Sequence, residues 1–201
     1  MKLAIMTKST FFVEEDKILA SLFDEGLDDL HLFKPGSSPM YSERLLTLLD
    51  EEHYKKITVH DHFYLKEEYQ LRGIHLDDPQ TEIPNGYKGK TGVTCTDLEL
   101  LKPLKKRHDY VFLDGVFADP LRQSLSDYTD EAIHDASHHG WIDRHVYAMG
   151  GVTIERIKQA KDMGFGGVVI GDDLWDKFNI HQGLDYKELI SYFEKLKKAT
   201  D

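Results

Sequence analysis

A chain of 201 residues with 40% hydrophobic content can bury a core of its own, and one domain over 1–201 is the expectation. A formal net charge of −11 argues against a phosphate-backbone partner, so no nucleic acid is expected. No apolar run reaches membrane-spanning length, the N-terminal run is too short for a signal peptide, and the single cysteine, Cys95, excludes an intramolecular disulfide. A chain in a reducing cytoplasm, with no membrane partner, fits these counts.

Eight short apolar runs fall at 3–6, 30–33, 57–59, 74–76, 93–95, 110–113, 146–149 and 168–170. Helical patterns separate most of them. That alternation predicts an α/β protein, a compact (β/α)8 TIM barrel. After the first strand, Ile18, Leu19, Leu22 and Phe23 give a helical stripe over 14–25, closed by Gly26. Ser38-Pro39 starts a second helix carrying Leu45, Leu46, Leu48 and Leu49. Helical spacing recurs over 63–71. The stretch 77–90 is rich in Pro, Gly and Asn, so the connection between strands four and five is expected to be a shortened loop. Thr96 or Asp97 caps a helix with Leu98, Leu101 and Leu104. A polar helix follows over 127–139. Thr153 is the expected cap of 154–163, and a helix over 186–198 closes the chain.

A barrel carries its chemistry at the carboxyl ends of its strands. Ala148-Met149-Gly150-Gly151-Val152-Thr153 and Gly166-Gly167-Val168-Val169-Ile170-Gly171 place glycine turns after strands seven and eight. Backbone N–H groups there can cup a phosphate, because glycine lets the chain approach closely. Asp172 and Asp173 put acid beside that cup. His60-Asp61-His62 after strand three lies next to His75-Leu76-Asp77-Asp78 after strand four. Imidazoles suit zinc or iron, and carboxylates suit magnesium. A regular strand would set His60 and His62 on one face and Asp61 on the other. Arg122, in the loop after strand six, could reach an anion over the mouth, and Lys34 is a strand-end cation before Pro35-Gly36. Cys95 reads as core, and Trp141, Tyr147, Trp175 and Phe178 as packing residues.

In this order the motifs resemble the thiamine phosphate synthase/TenI family along nearly the whole chain. The matching stretches are Val59-His60-Asp61-His62, Gly73-Ile74-His75-Leu76, Thr91-Gly92-Val93-Thr94, Asp109-Tyr110-Val111, Gly115-Val116-Phe117, Ala148-Met149-Gly150-Gly151-Val152 and Gly167-Val168-Val169-Ile170. The resemblance implies a small phosphorylated heterocycle, a thiazole phosphate, as ligand. It also implies Mg²⁺ as the cofactor of the synthases, which couple a pyrimidine methyl pyrophosphate to that thiazole. TenI relatives include tautomerases that aromatise a carboxythiazole phosphate by moving a proton without metal. A homodimer is expected by fold analogy.

The match departs at informative positions. Asp61 falls on the first Mg²⁺ carboxylate, but the second falls on Gln80, so Asp77 or Asp78 would have to rebuild the metal site. The synthases' arginine after strand two is Phe33, and Thr94 replaces their pyrophosphate-binding serine. The histidine that tautomerases place after strand six is Gly115 here. Losing charge around a leaving pyrophosphate disfavours coupling. Proton transfer is therefore the leading expectation, with His60, His62, His75 and Arg122 as catalytic candidates. Lys34, Thr94, Gly150, Gly151, Gly171 and Asp172 are the substrate-binding candidates. An Mg²⁺-dependent synthase and a non-catalytic binder of thiamine intermediates are the alternatives.

Overall fold

The computed structural model describes residues 1–119, 125–179 and 185–201. Its strands are β1 (Lys2–Met6), β2 (Leu30–Leu32), β3 (Ile57–Val59), β4 (Gly73–Leu76), β5 (Lys90–Cys95), β6 (Tyr110–Leu113), β7 (Val146–Ala148) and β8 (Gly167–Ile170). All neighbours pair in parallel, and β8 returns to β1, so the sheet closes into a barrel in chain order. Among the described residues the α-helices are α1 (Glu15–Asp24), α2 (Pro39–Thr47), α3 (Leu65–Glu68), α4 (Leu101–Leu104), α5 (Asp130–His138), α6 (Ile157–Asp162), α7 (Asp172–Trp175) and α8 (Lys187–Thr200). The TIM barrel expected from the apolar runs is therefore the observed fold. Residues 77–89 hold no helix, as their composition predicts. None of the described helices is long and apolar enough to cross a membrane.

Alternation along each strand divides the core in two. Outward residues such as Leu3, Ile5, Val111 and Val168 join the helices' apolar stripes in one large cluster. Inward residues Ala4, Phe112, Tyr147 and Val169 form a separate cluster, with Met6, Tyr110 and Met149 against it. Two glycines make room for the inner rings. A Cβ on Gly92 would lie 2.2 Å from the Tyr110 ring, and one on Gly167 would lie 2.7 Å from the Tyr147 ring.

The helices follow local rules. In α1 the residues Ile18, Leu19, Leu22 and Phe23 are buried, and Glu15 and Asp16 occupy the first turn. Gly26, at φ +88°, closes it, with Leu27 N–H donating to the Leu22 carbonyl. Pro39 opens α2, and Asp97 accepts from Glu99 N–H at 2.8 Å ahead of α4.

Two expectations need correcting. The helix expected over 63–71 is one turn, Leu65–Glu68, because Gln70 turns left-handed at φ +51° and ends it. Thr153 is no side-chain cap: its hydroxyl donates to Glu155 Oε2 at 2.8 Å instead of accepting a backbone N–H.

Candidate active site

A cavity of about 690 Å³ opens over the carboxyl ends of the strands. Its described lining includes Phe33, Asp77, Thr94, Gly150, Gly151, Gly171 and Asp172. The barrel topology thus brings together six of the expected site residues: Asp77, Thr94, Gly150, Gly151, Gly171 and Asp172. Asp114, Asp119 and Asp173 also line it, while none of the described lining residues is a lysine or arginine. Arg122 lies outside the described residues.

The glycine turn after β7 has a structural duty as well as a place in the cup. Gly150 and Gly151 have φ values of +82° and +61°. The Gly150 carbonyl accepts from Phe117 N–H at 3.1 Å, and the Met149 carbonyl from Val116 N–H at 3.0 Å. A Cβ on Gly151 would sit 2.5 Å from the Phe117 carbonyl oxygen, so the turn is pressed onto the loop after β6. Gly171 is different: a Cβ there meets nothing within 4 Å.

The histidines sit under the mouth, not in it. His60 and His75 are buried, and so is His31, on β2. His60 Nδ1 donates to Asp77 Oδ1 at 2.6 Å, and its Nε2 lies 2.8 Å from His31 Nδ1. His75 stacks on His60 with ring centroids 4.4 Å apart, and its Nε2 is 2.8 Å from Thr94 Oγ1. Burial holds both His31 and His75 below the ordinary imidazole range, His75 well below it. Two of the three interior rings reach the cavity through a lining side chain, His60 through Asp77 and His75 through Thr94.

Four expected site residues take other roles. Lys34 is no free cation at the mouth. It is 1% exposed, and its ammonium holds Glu15 Oε1 at 2.5 Å and the Thr10 carbonyl at 3.0 Å. His62 does not share a face with His60, because the strand ends at Val59 and His62 adopts φ +52°. Its Nε2–H donates to the Ser37 carbonyl at 2.9 Å. The Asp61 carboxylate accepts from Lys34 N–H at 3.3 Å, and Asp78 makes a turn by accepting from Gln80 N–H at 2.8 Å.

These contacts also test the fit of Mg²⁺, which takes one or two carboxylates together with substrate oxygens. Of Asp61, Asp77 and Asp78, only Asp77 lines the cavity, and His60 occupies its Oδ1. The three do not converge: the groups of three or more ligand atoms among the described residues are His31, His60, His75 and Asp50, Glu52, His53. Asp61, Asp77 and Asp78 thus do not meet at one point as these loops stand.

Two features escaped the sequence reading. His31 was hidden between Leu30 and Leu32 in an apolar run; strict alternation would have turned it inward. Asp29, beside it, is buried 3.4 Å from His31 Nε2 and 3.2 Å from Arg72 Nη1. Gly115 cannot host the tautomerases' histidine without rearrangement, since a Cβ would lie 2.0 Å from Asp127 Oδ2. Cys95 is core as expected, and burial pushes its thiol up to about 11.

Fold and cavity together define the class: a (β/α)8 barrel with an acid-rimmed, glycine-turned cavity over the carboxyl ends of its strands. No family model matches the chain, and a search of curated proteins gives no match. Among solved structures, thiamine phosphate pyrophosphorylase from Bacteroides thetaiotaomicron is 45% identical, covering 100% of this chain and 98% of that one, with a TM-score of 0.90. The chain belongs to the thiamine phosphate pyrophosphorylase family. Thiamine phosphate pyrophosphorylase from Pyrococcus furiosus shares the fold at 15% identity and a TM-score of 0.75, over 99% of this chain and 95% of that one. A 3-hexulose-6-phosphate synthase shares it at 12% identity and a TM-score of 0.66, over 100% of both chains.

Proposed function

We propose that the protein binds a thiazole phosphate in the mouth cavity and isomerises it by proton transfer. The observation that carries this reading is the Asp77–His60 pair: a carboxylate lining the cavity, held at 2.6 Å by a buried imidazole behind it. A carboxylate so placed can act as general base and then as acid. In the aromatisation of a carboxythiazole phosphate, Asp77 takes a proton from a ring carbon and the C–H electron pair becomes a ring π bond. A proton is returned at the far end of the conjugated system, so the composition of the substrate does not change. Backbone N–H groups around Gly150, Gly151 and Gly171 receive the phosphate. Family membership supports the thiazole phosphate as the ligand.

Coupling with pyrophosphate release is the second reading, and the name of the 45% identical relative favours it. The charges in the mouth weigh against it. Asp77, Asp114, Asp119, Asp172 and Asp173 line a cavity whose described residues offer no fixed cation to a departing pyrophosphate. Phe33 puts an aromatic edge where the synthases have arginine, with its ring 5.4 Å from that of His60. Losing one preorganised electrostatic group costs about 10²–10³ in rate.

Two reactions run side by side separate these readings. One follows carboxythiazole phosphate alone in excess chelator; the other follows thiazole phosphate with pyrimidine methyl pyrophosphate and Mg²⁺. Isomerisation in chelator with slow or absent coupling is the expected result. Brisk coupling without isomerisation would restore the synthase reading, and binding with neither reaction would leave a non-catalytic binder.

A further inference from the structure

The interior histidines form a connected path. From the amino-terminal face of the barrel it runs Asp29, His31, His60, Asp77. His31 Nε2 is 3.4 Å from Asp29 Oδ1, His31 Nδ1 is 2.8 Å from His60 Nε2, and His60 Nδ1 is 2.6 Å from Asp77 Oδ1. The path has three links and a carboxylate at each end. Two neutral imidazoles carry two ring hydrogens between them, one too few for three links.

The heavy-atom distances place the open link at Asp29. The two short links are within hydrogen-bond length, while His31 Nε2 is buried without a hydrogen-bond partner, and 3.4 Å is long for a bond to Asp29. A tautomer pair with His60 Nδ1–H toward Asp77 and His31 Nδ1–H toward His60 satisfies these distances and leaves a bare nitrogen facing Asp29. One added proton on His31 Nε2 fills the open link. The hydrogens can then shift together: His31 Nδ1–H to His60 Nε2, and His60 Nδ1–H to Asp77. The shift reverses the two short links, with the Asp77 carboxyl now donating to His60, and leaves His31 Nε2–H donating to Asp29, so each ring carries its one hydrogen on Nε2.

We propose that Asp29, His31, His60 and Asp77 form a proton path through the barrel interior, which takes up one hydrogen at His31 and presents it at Asp77 in the mouth. The path rests on the reading of Asp77 as the group that exchanges protons with the ligand. Within it His31 and Asp29 are positioning residues, since neither lines the cavity. The charged and titratable groups around the path are few. Arg72 pairs with Asp29, and Lys2 adds a weaker positive field there. The rings of His75 and Tyr110 lie 5.4 and 5.9 Å from that of His31. Burial pushes the Asp29 carboxyl up, but His31 and Arg72 beside it pull it below its ordinary value, so it stays an acceptor.

Asp29→Asn is the test, as it keeps the shape. Its amide can donate to His31 Nε2, so all three links are made with two neutral rings and the place for an added hydrogen disappears. Ring-¹⁵N spectra of the full chain, recorded between about pH 5 and about pH 8, locate the hydrogens on the four nitrogens of His31 and His60. The wild type is expected to show one on each Nδ1 at the alkaline end and, at the acid end, a hydrogen on His31 Nε2, either as a third ring hydrogen or with both rings switched to Nε2 once the proton has reached Asp77. In Asp29→Asn the hydrogen on His31 Nε2 should be absent, or its midpoint displaced to lower pH by about one unit or more. The acid limb of the isomerisation profile should move the same way. Ring hydrogens that stay on Nδ1 in the wild type throughout, or identical behaviour in Asp29→Asn, would overturn the path. A hydrogen arriving on His31 Nε2 in a protein that does not isomerise would sink the proposed reaction and leave the path standing. Isomerisation without that hydrogen would do the reverse.

Discussion

Replacing Lys34 by methionine should unfold the protein far more readily without touching the mouth. Lys34 and Glu15 are 1% and 2% exposed, and their 2.5 Å contact is the main partner each has. Burial pushes the lysine down and the glutamate up, the sign that each ion depends on the other. Lys34→Met leaves the Glu15 carboxylate buried beside a thioether, with its Oε2 already unpartnered. Breaking a buried pair from one side costs about 3–5 kcal/mol, or roughly 6–20 °C in Tm for a chain of this length. Changing both, Lys34→Met with Glu15→Leu, removes the stranded charge and should recover most of that loss. Urea unfolding of the wild type, the two single variants and the double variant gives the coupling directly, provided that the m-value stays constant. A Lys34→Met protein that unfolds at the wild-type urea midpoint would refute the reasoning. So would one that keeps its stability but no longer binds thiazole phosphate, since that is how a mouth cation would behave.

Two further outcomes are expected. Gly171→Val should weaken thiazole phosphate binding at nearly unchanged Tm, because its side chain enters open space; Gly151→Val should lower both, because it strikes the Phe117 carbonyl. Calorimetry beside thermal melts separates the two, and a Gly171→Val protein with full affinity would remove the phosphate from that turn. His31 and His75 have folded-state pKa values below 6.5, so the unfolded chain binds their protons first. Their contribution to stability is complete above that value and is lost as pH falls through the folded values. The slope is up to about 1.4 kcal/mol per pH unit for each group. Urea midpoints should therefore fall between about pH 7 and about pH 5, and fall less in His75→Asn; a flat profile would count against neutral buried rings.

The barrel was legible because parallel strands buried on both faces read as continuous apolar runs, and the glycine turns after β7 and β8 mark its mouth. The same feature hid His31, a single polar residue inside such a run. Lys34 could not be placed from sequence, since its partner Glu15 is set by how α1 docks on the barrel and by nothing local. His62 was misplaced because a left-handed residue ended the alternation that paired it with His60. The partners of the carboxylates at 61, 77 and 78 were equally hidden, because loop geometry turns them toward Lys34 N–H, His60 and Gln80 N–H.

The central claim is that Asp77 moves a proton on a thiazole phosphate, and the isomerisation rate of Asp77→Asn in excess chelator tests it most directly. The account predicts a loss of about 10²–10⁴ in kcat with KM for carboxythiazole phosphate little changed, as expected for a general acid–base. A variant that isomerises at the wild-type rate would contradict it.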